Sequence, residues 1–211
     1  MSDSTSSASI ETPETGRTPR PKPKPGERRT QILQALATML ERRDSERITT
    51  AALARQVGVS EAALYRHFPS KAAMFESLID FIESSVFTSI NQITAREGHN
   101  AQAATKIVTM VLHFGECNRG MVRVMVGDAL VFEHERLAQR MTLFFDKVEA
   151  ALRQCLRPAA QAAGVAAPMA EAHVLSAILT DMLCGRLQRY ARTQFHRVPT
   201  ENLAATLGLL L

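Results

Sequence analysis

The chain has 211 residues, 45% of them hydrophobic, 22% charged and 5% aromatic, with no Trp; Ala, Leu, Glu, Arg and Gln outnumber the residues that favour strands, so a helical globular protein is expected. Collagen-like and wholly disordered classes are excluded, and so is a disulfide scaffold, because Cys117, Cys155 and Cys184 cannot all pair and none lies in a C-x-x-C. The net charge of +4 is unevenly placed: residues 1–16 carry −3, 17–30 carry +5, 31–46 carry −1, 47–71 carry +3 and 72–211 carry none.

Residues 1–26 hold Pro13, Pro19, Pro21, Pro23 and Pro25 among Ser and Thr, with Ile10 the only large aliphatic besides Met1. Such a segment cannot bury enough surface to offset chain entropy, so it reads as a disordered basic arm whose Arg20–Pro25 stretch favours an extended conformation. It serves either as a solubilising tail or as an arm that adds phosphate contacts. From Arg28 to Arg43 the apolar residues Ile32, Leu33, Leu36, Ala37 and Leu40 recur at helical spacing and predict a first helix that stops before Asp44-Ser45. Thr49 or Thr50 caps a short second helix that Gly58 ends, Ser60 caps a third over Glu61 to Phe68, and Pro69 stops it. Ser70 caps a long fourth helix with Met74, Leu78, Ile82, Val86, Ile90 and Ile93 in one stripe.

Further helices are expected over 102–116, 121–126 and Asp128–Leu156, with Pro158, Gly164 and Pro168 bracketing a loop. Next comes a helix over 169–195 with His173, Val174, Ala177, Ile178, Leu183, Leu187 and Tyr190 facing inward, then a terminal helix over 201–211. The last two carry more apolar surface than one protomer needs, notably Leu175, Ile178, Leu179, Met182, Leu183, Leu187, Leu203 and Leu207, which predicts a homodimer. No apolar run reaches the ~18–20 residues that span a bilayer, and the N-terminus lacks the charged start and apolar stretch of a signal peptide. A cytoplasmic protein with no membrane partner is expected. The domains read as 1–26 arm, 27–72 DNA-binding and 73–211 body.

A short helix, a tight Gly turn and a second helix make a helix-turn-helix, whose second helix enters the major groove. Leu53, Val57, Val59 and Leu64 pack the unit, leaving Ser60, Glu61, Ala62, Tyr65, Arg66 and His67 near the groove. Arg66 suits a guanine, Ala62 a thymine methyl, His67 and Tyr65 phosphate or base edges, and Thr49, Thr50, Tyr65 and Lys71 the phosphates. A packing unit of three helices is the competing reading of the same spacing.

The core V-G-V-S-x-x-x-L-Y-x-H-F-x-S-K, from Val57 to Lys71, resembles the DNA-binding domain of the TetR family. The variant S-E-A-A-L-Y-R-H-F-P-S-K, with Met74–Ile79, Phe114-Gly115-Glu116, Gly127–Leu130 and Arg197–Thr200 downstream, is similar to that family's nucleoid occlusion members over about residues 28–211. The resemblance implies an all-α homodimer on palindromic chromosomal sites that opposes assembly of the tubulin-like division protein FtsZ. It further implies that FtsZ docks near the fourth and fifth helices, where Phe81, Ile82, Ser89, Ile90, Met110, Phe114, Cys117 and Asn118 lie. Ser89 and Cys117 stand where other members carry basic residues, so the electrostatic part of that contact is either weaker here or supplied elsewhere, for example by Arg119 or Arg123.

Two other classes compete. A ligand-responsive TetR-type repressor would enclose an effector among Phe132, Phe144, Phe145, Met121, Met125 and Met141, although such residues at helical spacing also make an ordinary core. An enzyme or metal site would have to be built on His113, Glu116 and Cys117, with no second cluster, no H-E-x-x-H and no phosphate loop beside them. Glu133-His134-Glu135 reads as a solvated helix turn. No cofactor, no metal and no catalytic residue is expected.

Overall fold

A computed structural model describes residues 26–42 and 48–211; the basic arm and the turn at Asp44-Ser45 lie outside the described residues. The described helices are α1 (Glu27–Glu41), α2 (Thr50–Val57), α3 (Glu61–His67), α4 (Lys71–Glu97), α5 (Ala101–Cys117), α6 (Arg119–Met125), α7 (Glu135–Ala162), α8 (Pro168–Arg192) and α9 (Leu203–Leu210). One turn of 3-10 helix, Asp128–Leu130, lies between α6 and α7, and the described residues contain no strand.

Local chemistry starts these helices. The side chains of Thr49, Ser60, Ser70 and Asn100 accept hydrogen bonds from the backbone N–H groups of Ala52, Ala63, Ala73 and Ala103, satisfying donors that a helix start leaves without partners. Gly58 ends α2 at φ 74°, ψ 41°, a left-handed conformation that costs other L-residues strain and lets the chain reverse into α3.

Burial joins these helices into a head and a body. Ile32, Leu36 and Leu40 of α1 share the head's core with Leu53, Leu64 and Phe68. In the body, α4 leads away from the head for 27 residues, roughly 40 Å at 1.5 Å per residue. Helix α5 returns alongside it, so that Phe114 near its end meets Phe81 near the start of α4, ring centroids 6.3 Å apart. Helix α7 starts beside the head, where Glu133 just before it pairs with Lys71, and runs outward. Helix α8 comes back, bringing the Tyr190 hydroxyl to the Glu116 carbonyl at 3.4 Å. The ends of α5 and α8 and the start of α6 therefore lie at the head-bearing end. At that end α6 touches α1 backbone to backbone: a Cβ added at Gly120 would stand 2.1 Å from the Ala37 carbonyl oxygen.

Several expectations are corrected. The helix expected over Asp128–Leu156 is a 3-10 turn, an open loop and then α7, because His134, extended at φ −66° and ψ 130°, interrupts the helical path; Leu130 is buried in the turn, but Val131 and Phe132 are each 69% exposed. Glu133-His134-Glu135 is solvated only in part: His134 and Glu135 are exposed at the start of α7, where the His134 ring nitrogen accepts from Arg136 N at 3.3 Å, but Glu133 is paired with Lys71. Pro158 does not open a loop, since α7 passes through it to Ala162; the carbonyl it leaves without a donor belongs to Gln154, an exposed residue that water reaches.

Helix α8 buries Leu183, Leu187 and Tyr190 as expected, but its first half turns another face inward, burying Ala172, Ser176 and Leu179 while His173, Val174 and Ile178 are exposed. It ends at Arg192, short of 195, because Gln194 and Phe195 take positive φ values of 54° and 65° that fold the Phe195 ring onto Tyr190, 5.0 Å between centroids. The terminal helix starts at Leu203 rather than 201, after the turn at 198–202.

Candidate nucleic-acid interface

The reading surface is built on a short helix held from behind. Leu64 of α3 is fully buried, which turns Ala62, Tyr65, Arg66 and His67 outward; all four are exposed, as are Thr49, Ser60 and Glu61, and Thr50 is partly so. The Thr50 hydroxyl donates to Glu61 Oε2 at 2.8 Å and accepts from the Tyr65 hydroxyl at 3.4 Å. Two residues expected at phosphates and one at the groove are thus joined across the two helices of the motif. That network holds Tyr65 and Thr50 in place before any ligand arrives and leaves Arg66 and His67 projecting.

One residue of this unit escaped sequence reasoning. Arg29 of α1 donates from Nη1 to the His67 carbonyl at 2.9 Å and from Nη2 to Ser77 Oγ at 3.0 Å, and its guanidinium lies 4.1 Å from the Phe68 ring centroid. It ties the last turn of α3 to α4. No local pattern announces a contact across 38 positions, although Arg29 belongs to a basic block that stands out by its charge. Lys71, expected at a phosphate, is turned to Glu133 instead and keeps 22% of its side-chain exposure.

The residues expected to meet FtsZ fall into two groups. Ile82 and Ile90 are 0% and 4% exposed and belong to the body core, which corrects their assignment to a contact surface. Phe81 is 46% exposed, Cys117 is exposed, and Ser89, Met110, Phe114 and Asn118 are half-buried along the α4–α5 seam. Phe81 and Asn118 also line a cleft of about 670 Å³ with Leu33, Ala37, Leu78 and Met121, between head and body. Arg119, the residue after Asn118, and Arg123 reach toward Phe195, at 5.9 Å and 5.5 Å from its ring centroid.

The dimer residues divide similarly. Leu179, Leu183, Leu187, Leu203 and Leu207 are 6% exposed or less inside one protomer, so they serve its own core and not a second chain. Leu175 and Met182 are half-buried, and Ile178 is 41% exposed beside Val174 at 54%. The candidate metal trio is pulled apart: Cys117 Sγ lies 3.5 Å from His113 Nε2, but Glu116 accepts from Thr200 Oγ1 at 2.7 Å. Among the described residues no three His, Cys, Asp or Glu side chains converge, and no helix is long and apolar enough to cross a membrane.

Residues 32–78 match the family model for bacterial regulatory proteins of the tetR family, and residues 101–211 match the model for the tetracyclin repressor-like C-terminal domain. The nucleoid occlusion factor SlmA of Marinomonas sp. (strain MWYL1) is 51% identical over 178 residues, covering 84% of this chain and 90% of its own. That of Photobacterium profundum is 50% identical over 189 residues, covering 86% and 96%. Among solved structures, the MbdR regulator from Azoarcus sp. CIB superposes with a TM-score of 0.72 at 18% identity, covering 87% of this chain and 97% of its own. The TetR family regulator PfmR from Thermus thermophilus gives 0.68 at 19%, covering 87% and 95%.

Proposed function

The chain belongs to the TetR family of bacterial regulatory proteins, and from that premise we propose that it is a sequence-specific DNA-binding nucleoid occlusion factor: a homodimer that occupies palindromic chromosomal sites and, while there, inhibits FtsZ assembly. The observation that carries this reading is identity at about half of the aligned positions with two nucleoid occlusion factors, across head and body together. The distant structures support only the fold.

DNA is read by α3. Arg66 forks to a base edge, His67 and Tyr65 meet phosphate or base edges, and Ala62 packs on a thymine methyl. Thr49, Thr50 and Ser60 set the register on the backbone, and Glu61 holds Thr50. Two such heads about 34–36 Å apart fit successive turns of a palindrome. The dimer face is assigned to the long antiparallel pair α7 and α8, where Leu143 of α7 is 56% exposed and Val174 and Ile178 of α8 are 54% and 41% exposed, rather than to the last two helices. FtsZ meets the α4–α5 seam through Phe81, Met110, Phe114, Cys117 and Asn118.

Sedimentation of FtsZ polymers with the protein, with and without its palindrome, tests this reading. Fewer polymers in the pellet only when DNA is present is the expected result. Inhibition that ignores DNA, or none at all, would favour a ligand-responsive repressor.

A further inference from the structure

The charge that residues 72–211 balance to zero is sorted in space. Along the α4–α7 seam the arginines meet acids: Arg136 meets Glu76 at 2.6 Å, and Arg140 meets Glu83 at 2.7 Å and Asp80 at 2.9 Å, while Lys147 lies over the Phe87 ring. At the head-bearing end the carboxylates of Glu116 and Glu201 are taken by Thr200 and Arg197, and the stretches between the acids are basic. Residues 117–127 contain Arg119 and Arg123 and no acid, and residues 182–200 contain Arg186, Arg189, Arg192, His196 and Arg197 and no acid. Arg186 is consumed in holding the chain end, through the carbonyls of Pro199 and Glu201 and the Thr206 hydroxyl, and Arg197 pairs with Glu201. Among the described residues, Arg119, Arg123, Arg189 and Arg192 have no carboxylate partner.

Two of these four are fixed in place. Arg123 and Arg189 have Nε atoms buried without an acceptor, and Arg119 and Arg123 stack toward Phe195, itself 8% exposed. Arg119 and Arg192 are exposed. Attraction to the negative C-terminal end of α8 accounts for Arg189 and Arg192 but not for two further arginines brought in from α6. The resulting surface is positive charge over a buried ring. Planar guanidinium forks match phosphate, and α6 is the helix that rests on the head.

We propose that Arg119, Arg123, Arg189 and Arg192 form a second DNA contact, in which the body itself grips the phosphate backbone between the two reading heads. The proposal rests on the dimeric DNA-binding reading above. In that dimer α8 lies near the two-fold axis, so the arginine clusters of the two protomers flank the axis at the end that faces the duplex. The contact is sequence-independent, since phosphates carry no base identity.

The test uses the full chain and a palindromic duplex selected from a random pool with the unaltered protein. Binding is measured against salt concentration for the parent, for the exposed pair Arg119→Gln with Arg192→Gln, and for Arg192→Glu alone. Each lost phosphate contact lowers the slope of log affinity against log salt by about one, so the paired variant should show a shallower slope. Its affinity should fall by about the same factor on palindrome and random duplex, with thermal unfolding unchanged. A parental slope in both variants overturns the body contact, as does a loss confined to the palindrome. Absence of palindrome binding by the parent chain would instead defeat the DNA-binding reading on which the proposal stands.

Discussion

Along the α4–α7 seam Arg136 and Arg140 meet carboxylates at 2.6 Å and 2.7 Å, whereas at the α6–α8 end Arg119, Arg123, Arg189 and Arg192 meet none among the described residues. The two regions use the same residue type for opposite purposes. On the seam, burial opposes the charge of Arg140, but hydrogen bonds and attraction from Glu83 and Asp80 outweigh it and raise its pKa above the usual arginine value. The charge there is spent within the molecule and fastens one helix to another. At the other end it is left available, at some cost in self-repulsion, and that pattern marks a surface that meets a polyanion.

Mutations can break or sharpen this contrast. The largest effect belongs to neither region but sets the scale for both: Arg66→Ala should weaken palindrome binding by about 10- to 100-fold, the worth of one forked base contact, with the unfolding midpoint unmoved. Unchanged affinity at physiological salt would remove α3 as the reading helix. Arg140→Ala should cost roughly 1 kcal/mol, since partly exposed pairs are worth little each, and lower the melting temperature by about 2–4 °C without altering DNA affinity.

Lys71→Ala discriminates more finely. Paired with Glu133, it should lower stability by about 0.5 kcal/mol and leave DNA affinity nearly intact; the opposite outcome would return Lys71 to the phosphate contacts. The smallest signal is chemical. Burial and the charge of Asp181 push the Cys184 thiol up to about 11, and burial also raises Cys155, so at neutral pH both stay protonated. A maleimide should label exposed Cys117 well before the other two, read by mass spectrometry on the intact protein.

Much of the head was legible in the sequence because its determinants are local. A hydroxyl at Thr49, Ser60 or Ser70 finds its N–H three residues on, and a Gly at 58 permits the turn whatever surrounds it. The body was legible in its helices but not in their sidedness. Helix α8 is apolar on two faces, and periodicity does not say which meets its own protomer, so it points His173, Val174 and Ile178 inward when they face out. Ile82 and Ile90 lie in the apolar stripe that periodicity marks on α4, and only the family resemblance places them beside exposed Phe81 on a contact surface. Partners far apart in the chain, such as Arg29 with His67 or Lys71 with Glu133, leave no local trace.

The contact of Gly120 with the Ala37 carbonyl makes a fulcrum. Nothing bulkier than a hydrogen fits between α6 and α1 there, so the head cannot tilt by closing that joint; it can only swing open from it. The neighbouring cleft shares Ala37 and adjoins the joint through Met121, so a side chain added at that joint would act as a wedge between head and body. Gly120→Ala drives such a wedge in permanently, and its signature is lost palindrome affinity in a chain whose helicity is unchanged.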